Sequence, residues 1–174
     1  MADLCAVGRL SQRPISISSD SAEPAEPNAP RSPNGNRDGT PLAQAIRIAD
    51  EEIIRQSRKR NDALPMGTTV VAARVNGNRF EVAWVGDSRV YLWRNGQLAQ
   101  LSQDHSYVQE LIAQGAITTE QARSHPHRNV VTQALGVTDP QSLRVETVAG
   151  RLEPGNQVLL CSDGLTEEVD DHAI

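Results

Sequence analysis

Three observations predict an α+β domain built around antiparallel sheet. A long stretch carries apolar residues at helical spacing, two Asn-Gly pairs sit between segments of period-2 alternation, and no internal repeat is evident. The helical stretch is residues 42–60: Leu42, Ile46, Ala49, Ile53 and Ile54 fall on one face, while Arg47, Asp50, Glu51 and Arg55 occupy others. Asn61, Asp62 and Pro65 supply its stop. The period then changes. Val71, Ala73 and Val75 share one face, Asn76-Gly77 supplies a hairpin turn, and Phe80, Val82 and Trp84 share a face on the return. Arg89 to Trp93 is the next expected strand, Asn95-Gly96 the next turn, and Leu98 to Leu101 the strand that closes a meander.

Beyond the meander, residues 106–113 predict a short helix with Val108, Leu111 and Ile112 on its apolar side, stopped by Gly115. Thr118, followed three positions later by Gln121, matches a capping box and starts a second short helix towards Arg123. The signal from Ser124 to Gly136 is mixed. Leu143, Val145 and Thr147 alternate as a strand, Glu153-Pro154-Gly155 makes a turn, and Val158 to Cys161 form an apolar strand buried up to its end.

Residues 1–41 read as a flexible Ser/Pro-rich segment, because Ser11 to Thr40 is dense in Ser, Pro, Asn and Asp and offers no apolar periodicity after Ile17. Residues 42–174 make up the expected domain. With 22 acidic against 17 basic residues, the net charge of -5 gives no general attraction to nucleic acid or to an anionic membrane. A phosphorylated substrate would therefore need a local cation or arginine. The chain has no apolar run of membrane-spanning length and no signal-peptide start, so a cytoplasmic location is expected, with Cys5 and Cys161 unpaired.

Two motifs concentrate the chemistry. Val85-Gly86-Asp87-Ser88-Arg89 and Leu159-Leu160-Cys161-Ser162-Asp163-Gly164 each place an aspartate beside a glycine where an apolar strand ends. Carboxylates at two strand exits suit a hard cation, since Mg²⁺ and Mn²⁺ prefer oxygen ligands. Each aspartate equally suits a local structural role: Asp163 as a cap of the following turn, and Asp87 as a partner of Arg89. Gly164 is expected to let the backbone turn tightly or approach a ligand. Asp104-His105 and His125-Pro126-His127-Arg128 form a second polar concentration. There His105 suits proton transfer and Arg128 bidentate phosphate binding, set against a partly exposed histidine and a surface arginine. His125 and His127 lack the Cys or Glu spacing of a structural zinc site. Trp84, Tyr91 and Trp93 read as sheet core or rim rather than a base-stacking platform.

In chain order, Met66-Gly67-Thr68-Thr69, Val85-Gly86-Asp87-Ser88-Arg89, Tyr91-Leu92, Gln103-Asp104-His105-Ser106, Ser124-His125-Pro126 and Leu160-Cys161-Ser162-Asp163-Gly164-Leu165-Thr166 resemble the bacterial metal-dependent serine/threonine phosphatases of the PP2C, or PPM, family. The resemblance covers roughly residues 42–174. It implies a PP2C-like antiparallel β-sandwich with flanking helices and a flap segment, and a Mg²⁺ or Mn²⁺ cluster whose activated water attacks phosphorus directly. It further implies that Asp163 is a metal ligand and that Asp87 serves an additional metal position. Ser124 then lies in the flap beside that position, and the flap falls within Asp104 to Arg128. The implied partners are phosphorylated proteins, autophosphorylated serine/threonine kinases among them.

The family's opening Arg/Asn-Glu-Asp segment, its Asp-Gly-Met-Gly-Gly strand end and its terminal Asp-Asn motif do not occur in this chain. Asp38-Gly39 has the two letters of the second motif without the apolar strand before it. The resemblance therefore implies an incomplete sandwich, truncated at both ends of the family domain, with weak metal binding and little turnover by residues 1–174 alone. Were Asp38 or Asp20 to replace the missing carboxylate, turnover would be retained. A noncatalytic phosphoprotein-binding or regulatory domain and an inactive fragment are the competing expectations.

Overall fold

The computed structural model describes residues 4–10, 14–19, 39–60, 64–170 and 173–174, with backbone alone in the first two stretches. Helix α1 runs Pro41–Arg60, as its apolar spacing predicts. The Thr40 hydroxyl accepts the Ala43 N–H at 3.1 Å and satisfies one of the free donors of its first turn. Arg58, Lys59 and Arg60 place positive charge in the last turn, where the helix dipole favours it. The expected stop at Asn61 and Asp62 lies outside the described residues.

Strands β1 (Leu4–Leu10), β2 (Pro14–Ser19), β3 (Thr68–Asn76), β4 (Arg79–Val85) and β7 (Glu146–Arg151) form one antiparallel sheet in the order β2-β1-β3-β4-β7. A second sheet has the order β6-β5-β8, from β5 (Arg89–Arg94), β6 (Gln97–Gln100) and β8 (Gln157–Cys161). Within the segment expected to be flexible, Leu4–Leu10 pairs with β3 from Leu4 opposite Arg74 to Leu10 opposite Thr68, and Pro14–Ser19 pairs with Leu4–Leu10. The rest of that expectation, most of it residues 20–38, lies outside the described residues.

The expected meander is divided between the two sheets. Strands β3 and β4 pair in the first, β5 and β6 in the second, and the bend at Gly86–Ser88 carries the chain across. Both faces of β4 are thereby buried, each against a different layer. Val71, Ala73, Phe80, Val82 and Trp84 meet Val90 of β5, with Val158 and Leu160 of β8 packed alongside. On the opposite face Ala72, Ala83 and Val85 meet Leu42, Ala43 and Ile46 of α1, together with Leu135, Leu143 and Val145. The layers are helix, sheet, sheet, with small alanines where the helix approaches the strands.

The first hairpin turn is displaced by one residue from its expected position. Asn76 pairs with Arg79, so Gly77 and Asn78 form the loop, with Gly77 at φ +63° in its first position. The second is as expected: Asn95 and Gly96 have φ +53° and +77°, as a two-residue type I′ loop requires. Strand β7 begins later than the Leu143–Thr147 alternation suggested. Leu143 and Val145 precede it and serve the core beside α1. Helix α2 (Tyr107–Ala113) is capped by the Ser106 hydroxyl, and α3 (Thr119–Arg123) by the complete Thr118/Gln121 capping box. Cys161 is buried, and the side chain of Cys5 lies outside the described residues. Among the described residues no helix is long and apolar enough to cross a membrane.

Candidate metal and phosphate site

The two aspartates singled out by sequence come to one place. Asp87 follows the end of β4, Asp163 follows the end of β8, and both line an open cleft of about 240 Å³ with Gly67, Thr68, Thr69, Val131 and Ala134. The meeting follows from the sandwich: β4 and β8 belong to different sheets, and their ends open on the same side of the molecule.

The Asp87 turn is tightly built. Gly86 has φ +106°, and a Cβ there would lie 2.3 Å from the Thr69 methyl carbon. Only glycine fits on both counts. Ser88 is buried, and its hydroxyl lies 3.1 Å from that of Thr69. Arg89 does not pair with Asp87. Its guanidinium grips Asp104, with Nε 3.1 and 3.0 Å from the two carboxylate oxygens and an Nη 2.8 Å from one of them. It also donates to the Tyr91 hydroxyl at 3.2 Å. The arginine is thus engaged in joining β5 to the segment before α2.

That segment is stitched along the bend. The Trp84 indole N–H donates to the Gln103 carbonyl at 2.9 Å, and the Val90 N–H to the Ser102 hydroxyl at 3.0 Å. The Gly86 N–H donates to Nδ1 of His105 at 3.1 Å, while the His105 N–H returns a bond to the Gly86 carbonyl at 2.8 Å. Burial, aided by Arg144 and opposed by Glu110, pushes His105 down to about 4. A neutral, buried imidazole with Nδ1 already engaged is a poor proton shuttle, so the structure gives His105 a part in the framework.

Asp163 stands differently. It is the first residue of the four-residue helix α4 (Asp163–Thr166), whose N-cap is Ser162 and not Asp163. The Asp163 carboxylate accepts the Gly164 N–H at 2.9 Å. Gly164 does not have the special conformation expected of it. Its φ is not positive, and a Cβ there would find only the Ser162 hydroxyl, at 3.6 Å. Strand β8 leads in half-buried from Val158 to Leu160, with Cys161 alone buried, where burial along the whole run was expected.

Burial pushes the Asp87 carboxyl above its ordinary value. The negative charges of Asp163 and Asp104 add to this, while its own backbone N–H and Arg89 work against it. Among the described residues no three His, Cys, Asp or Glu side chains converge. Asp20 and Asp38 lie outside the described residues.

The other two residues singled out stand apart from the cleft. Ser124 is the exposed C-cap of α3, and its hydroxyl donates to the Gln121 carbonyl at 3.4 Å. Arg128 is exposed, and its guanidinium makes no hydrogen bond or ion pair among the described residues. The His125, His127 and Tyr107 rings cluster at centroid separations of 5.7 to 5.9 Å.

Sequence reasoning missed the contributions of Thr69, of the Gln103–His105 clamp and of the Val131–Ala134 wall. The glycine at Gly67 was a usable signal for the last of these. A Cβ there would meet the Val137 methyl at 2.4 Å, so the strand entering the cleft packs directly on the loop beyond Leu135. The wall is also anchored from behind, because the buried Asp50 of α1 accepts the Gly136 N–H at 2.6 Å.

The sequence pattern of the family described as protein phosphatase 2C matches residues 20–111. The serine/threonine phosphatase stp of Listeria monocytogenes is 41% identical over 128 residues, which are 74% of this chain and 50% of the relative. PstP of Mycobacterium tuberculosis is 38% identical over 133 residues, 76% of this chain and 25% of that protein. The chain therefore spans half the length of the first relative and a quarter of the second. Among solved structures, the mycobacterial phosphatase PstP/Ppp superposes with a TM-score of 0.70 at 35% identity, covering 79% of this chain and 59% of the other. Stp1 from Staphylococcus aureus gives 0.70 at 31% identity, covering 81% and 55%. With the helix-backed sandwich, the order of the motifs and a sequence match over more than half of its residues, the chain belongs to the protein phosphatase 2C family.

Proposed function

We propose that this chain supplies the Asp87 and Asp163 side of a divalent-cation centre that hydrolyses phosphoserine and phosphothreonine in proteins. One observation carries the reading: two carboxylates leaving strands of different sheets line one open cleft, close enough for the charge of Asp163 to disfavour ionisation of Asp87. A half-buried carboxylate facing a like charge is relieved by a cation, and an all-oxygen donor set suits Mg²⁺ or Mn²⁺ over softer metals. Two carboxylates leave most of an octahedral shell to water, so binding by these residues alone is weak.

Such a cation, when bound, lowers the pKa of its water and stabilises charge on a phosphoryl oxygen. The residues of the chain hold and orient. The Gly86 bend and its partners fix Asp87, and the start of α4 presents Asp163 beside it. Arg128, exposed with its guanidinium unengaged among the described residues, is the proposed phosphate contact, and Ser124 the proposed flap contact to an additional cation. The body of the domain is residues 42–174, joined in its first sheet by Leu4–Leu10 and Pro14–Ser19; its location is cytoplasmic, and its substrates are phosphorylated proteins, including autophosphorylated kinases.

A second reading has one observation in its favour. With no three potential ligands converging among the described residues, a domain that binds phosphoproteins without turnover also fits the site.

Mn²⁺ titration of the 174-residue chain, followed by electron paramagnetic resonance, tests the centre. Weak binding is expected, reduced about tenfold by Asp87→Asn or Asp163→Asn because each removes a charged ligand. Binding indifferent to both substitutions overturns the reading. Hydrolysis of a phosphothreonine peptide with and without Mn²⁺ separates the two functions: metal-dependent turnover favours the phosphatase, and saturable peptide binding without turnover favours the binding domain.

A further inference from the structure

We propose that His105 is a positioning residue for Asp87, holding the Gly86 bend through an unprotonated Nδ1 and tying that bend to the opposite wall of the cleft. The inference rests on the reading of Asp87 as a cation ligand. Four features of the structure support it.

The clamp is reciprocal: Gly86 donates its N–H to Nδ1 at 3.1 Å and accepts the His105 N–H at 2.8 Å, so both polar groups of the residue before Asp87 end on one partner. Gly86 itself sits at φ +106° against Thr69, where any shift of the backbone would carry Asp87 with it. The far wall is joined to the same histidine, since the Thr132 N–H donates to the His105 carbonyl at 2.8 Å and the neighbouring Val131 lines the cleft. Finally, His105 is 7% exposed, and its Nε2 has no hydrogen-bond partner among the described residues. A side chain kept for packing would not be a histidine with one nitrogen engaged and the other buried without a partner, because that arrangement costs desolvation an apolar residue avoids. What the imidazole provides and leucine cannot is the acceptor at Nδ1.

The geometry fixes the tautomer. Accepting at Nδ1 requires the proton on Nε2. Nitrogen-resolved NMR of the metal-free protein is expected to place Nδ1 of His105 in the acceptor range and Nε2 in the protonated range.

Two substitutions separate positioning from packing. His105→Asn can present a carbonyl oxygen near the place of Nδ1, whereas His105→Leu fills the space without an acceptor. In His105→Leu the Gly86 amide is expected to exchange with solvent about tenfold faster, and Mn²⁺ affinity to fall about fivefold to tenfold, as the loss of one buried hydrogen bond implies. His105→Asn should restore both to within about twofold, with thermal midpoints of the two variants reported alongside.

The proposal is overturned if the wild-type tautomer is reversed, if His105→Leu leaves Gly86 exchange and Mn²⁺ affinity unchanged, or if His105→Asn is no better than His105→Leu. A wild-type chain with a protected Gly86 amide and no Mn²⁺ binding overturns the cation reading instead, and leaves the clamp on Gly86 standing on the exchange and tautomer measurements.

Discussion

The Gly86-Asp87 bend and the Asp163-Gly164 turn pair the same two residue types in opposite order, and the fold treats them in opposite ways. At the first, glycine is obligatory by conformation and by space, the following serine is buried, and the bend is gripped by a segment some twenty residues on. At the second, the glycine has ordinary backbone and room for a side chain, the serine makes no capping bond, and the aspartate accepts its neighbour's N–H. At the first, long-range contacts fix the backbone that carries the aspartate; at the second, the backbone turns through bonds of the local helix, Leu165 N–H to the Ser162 carbonyl and Glu167 N–H to the Asp163 carbonyl. The cleft thus joins a bend whose backbone is fixed from distant segments to a turn closed by local backbone bonds.

The largest expected effect tests the Gly86-Asp87 bend. Gly86→Ala should destabilise the protein by about 3 kcal/mol in urea unfolding, combining a disfavoured φ with a clash against Thr69. Loss of less than about 1 kcal/mol would show that the bend relaxes freely.

The next concerns pH. His105 titrates near 6.5 when unfolded and about 4 when folded. Above the first value both states are neutral and nothing is contributed. As pH falls from 6.5 towards 4 only the unfolded chain takes up the proton, so stability is lost across that window and levels off below it. The loss is on the order of 3 kcal/mol, with Arg144 deepening it and Glu110 reducing it. Thermal midpoints measured from pH 7 to 4 should fall less steeply in His105→Leu than in the wild type.

Arg89→Lys keeps the charge but gives up the fork on Asp104, and should cost about 1.5 kcal/mol. A double-mutant cycle with Asp104→Asn checks that the loss belongs to the pair. Ser88→Ala should cost about 1 kcal/mol through its buried contact with Thr69. The counterparts at the second turn, Ser162→Ala and Gly164→Ala, should each stay within about 0.5 kcal/mol. Equal costs at Ser88 and Ser162 would erase the distinction between the two turns.

Much of this was legible residue by residue. The α1 periodicity, the Asn95-Gly96 turn and the Thr118/Gln121 box are local patterns, and each folded as read because its hydrogen bonds close within a few residues. The one-residue displacement at Gly77 shows the limit of such reading. Strand register is settled by which faces are buried on both partners, and Asn76-Gly77 and Gly77-Asn78 are equally good turn pairs by composition. The division of the expected meander between two sheets was also out of reach. Nothing local distinguishes a third strand of one sheet from the first strand of another, although Gly86 marks where the change occurs.

Sequence by itself determined most of the elements from α1 onward, the family motifs and the two aspartates at strand ends, because strand alternation, turn chemistry and motif order are written along the chain; the pairing of Leu4–Leu10 with β3 was not among what it showed. Tertiary structure alone decided that β4 and β8 open on one cleft, that Arg89 belongs to Asp104 rather than to Asp87, and that His105 is a neutral buried acceptor. Those outcomes depend on burial and on contacts between residues far apart in sequence, and an ionisable side chain takes its charge and its partner from the surroundings the fold builds around it.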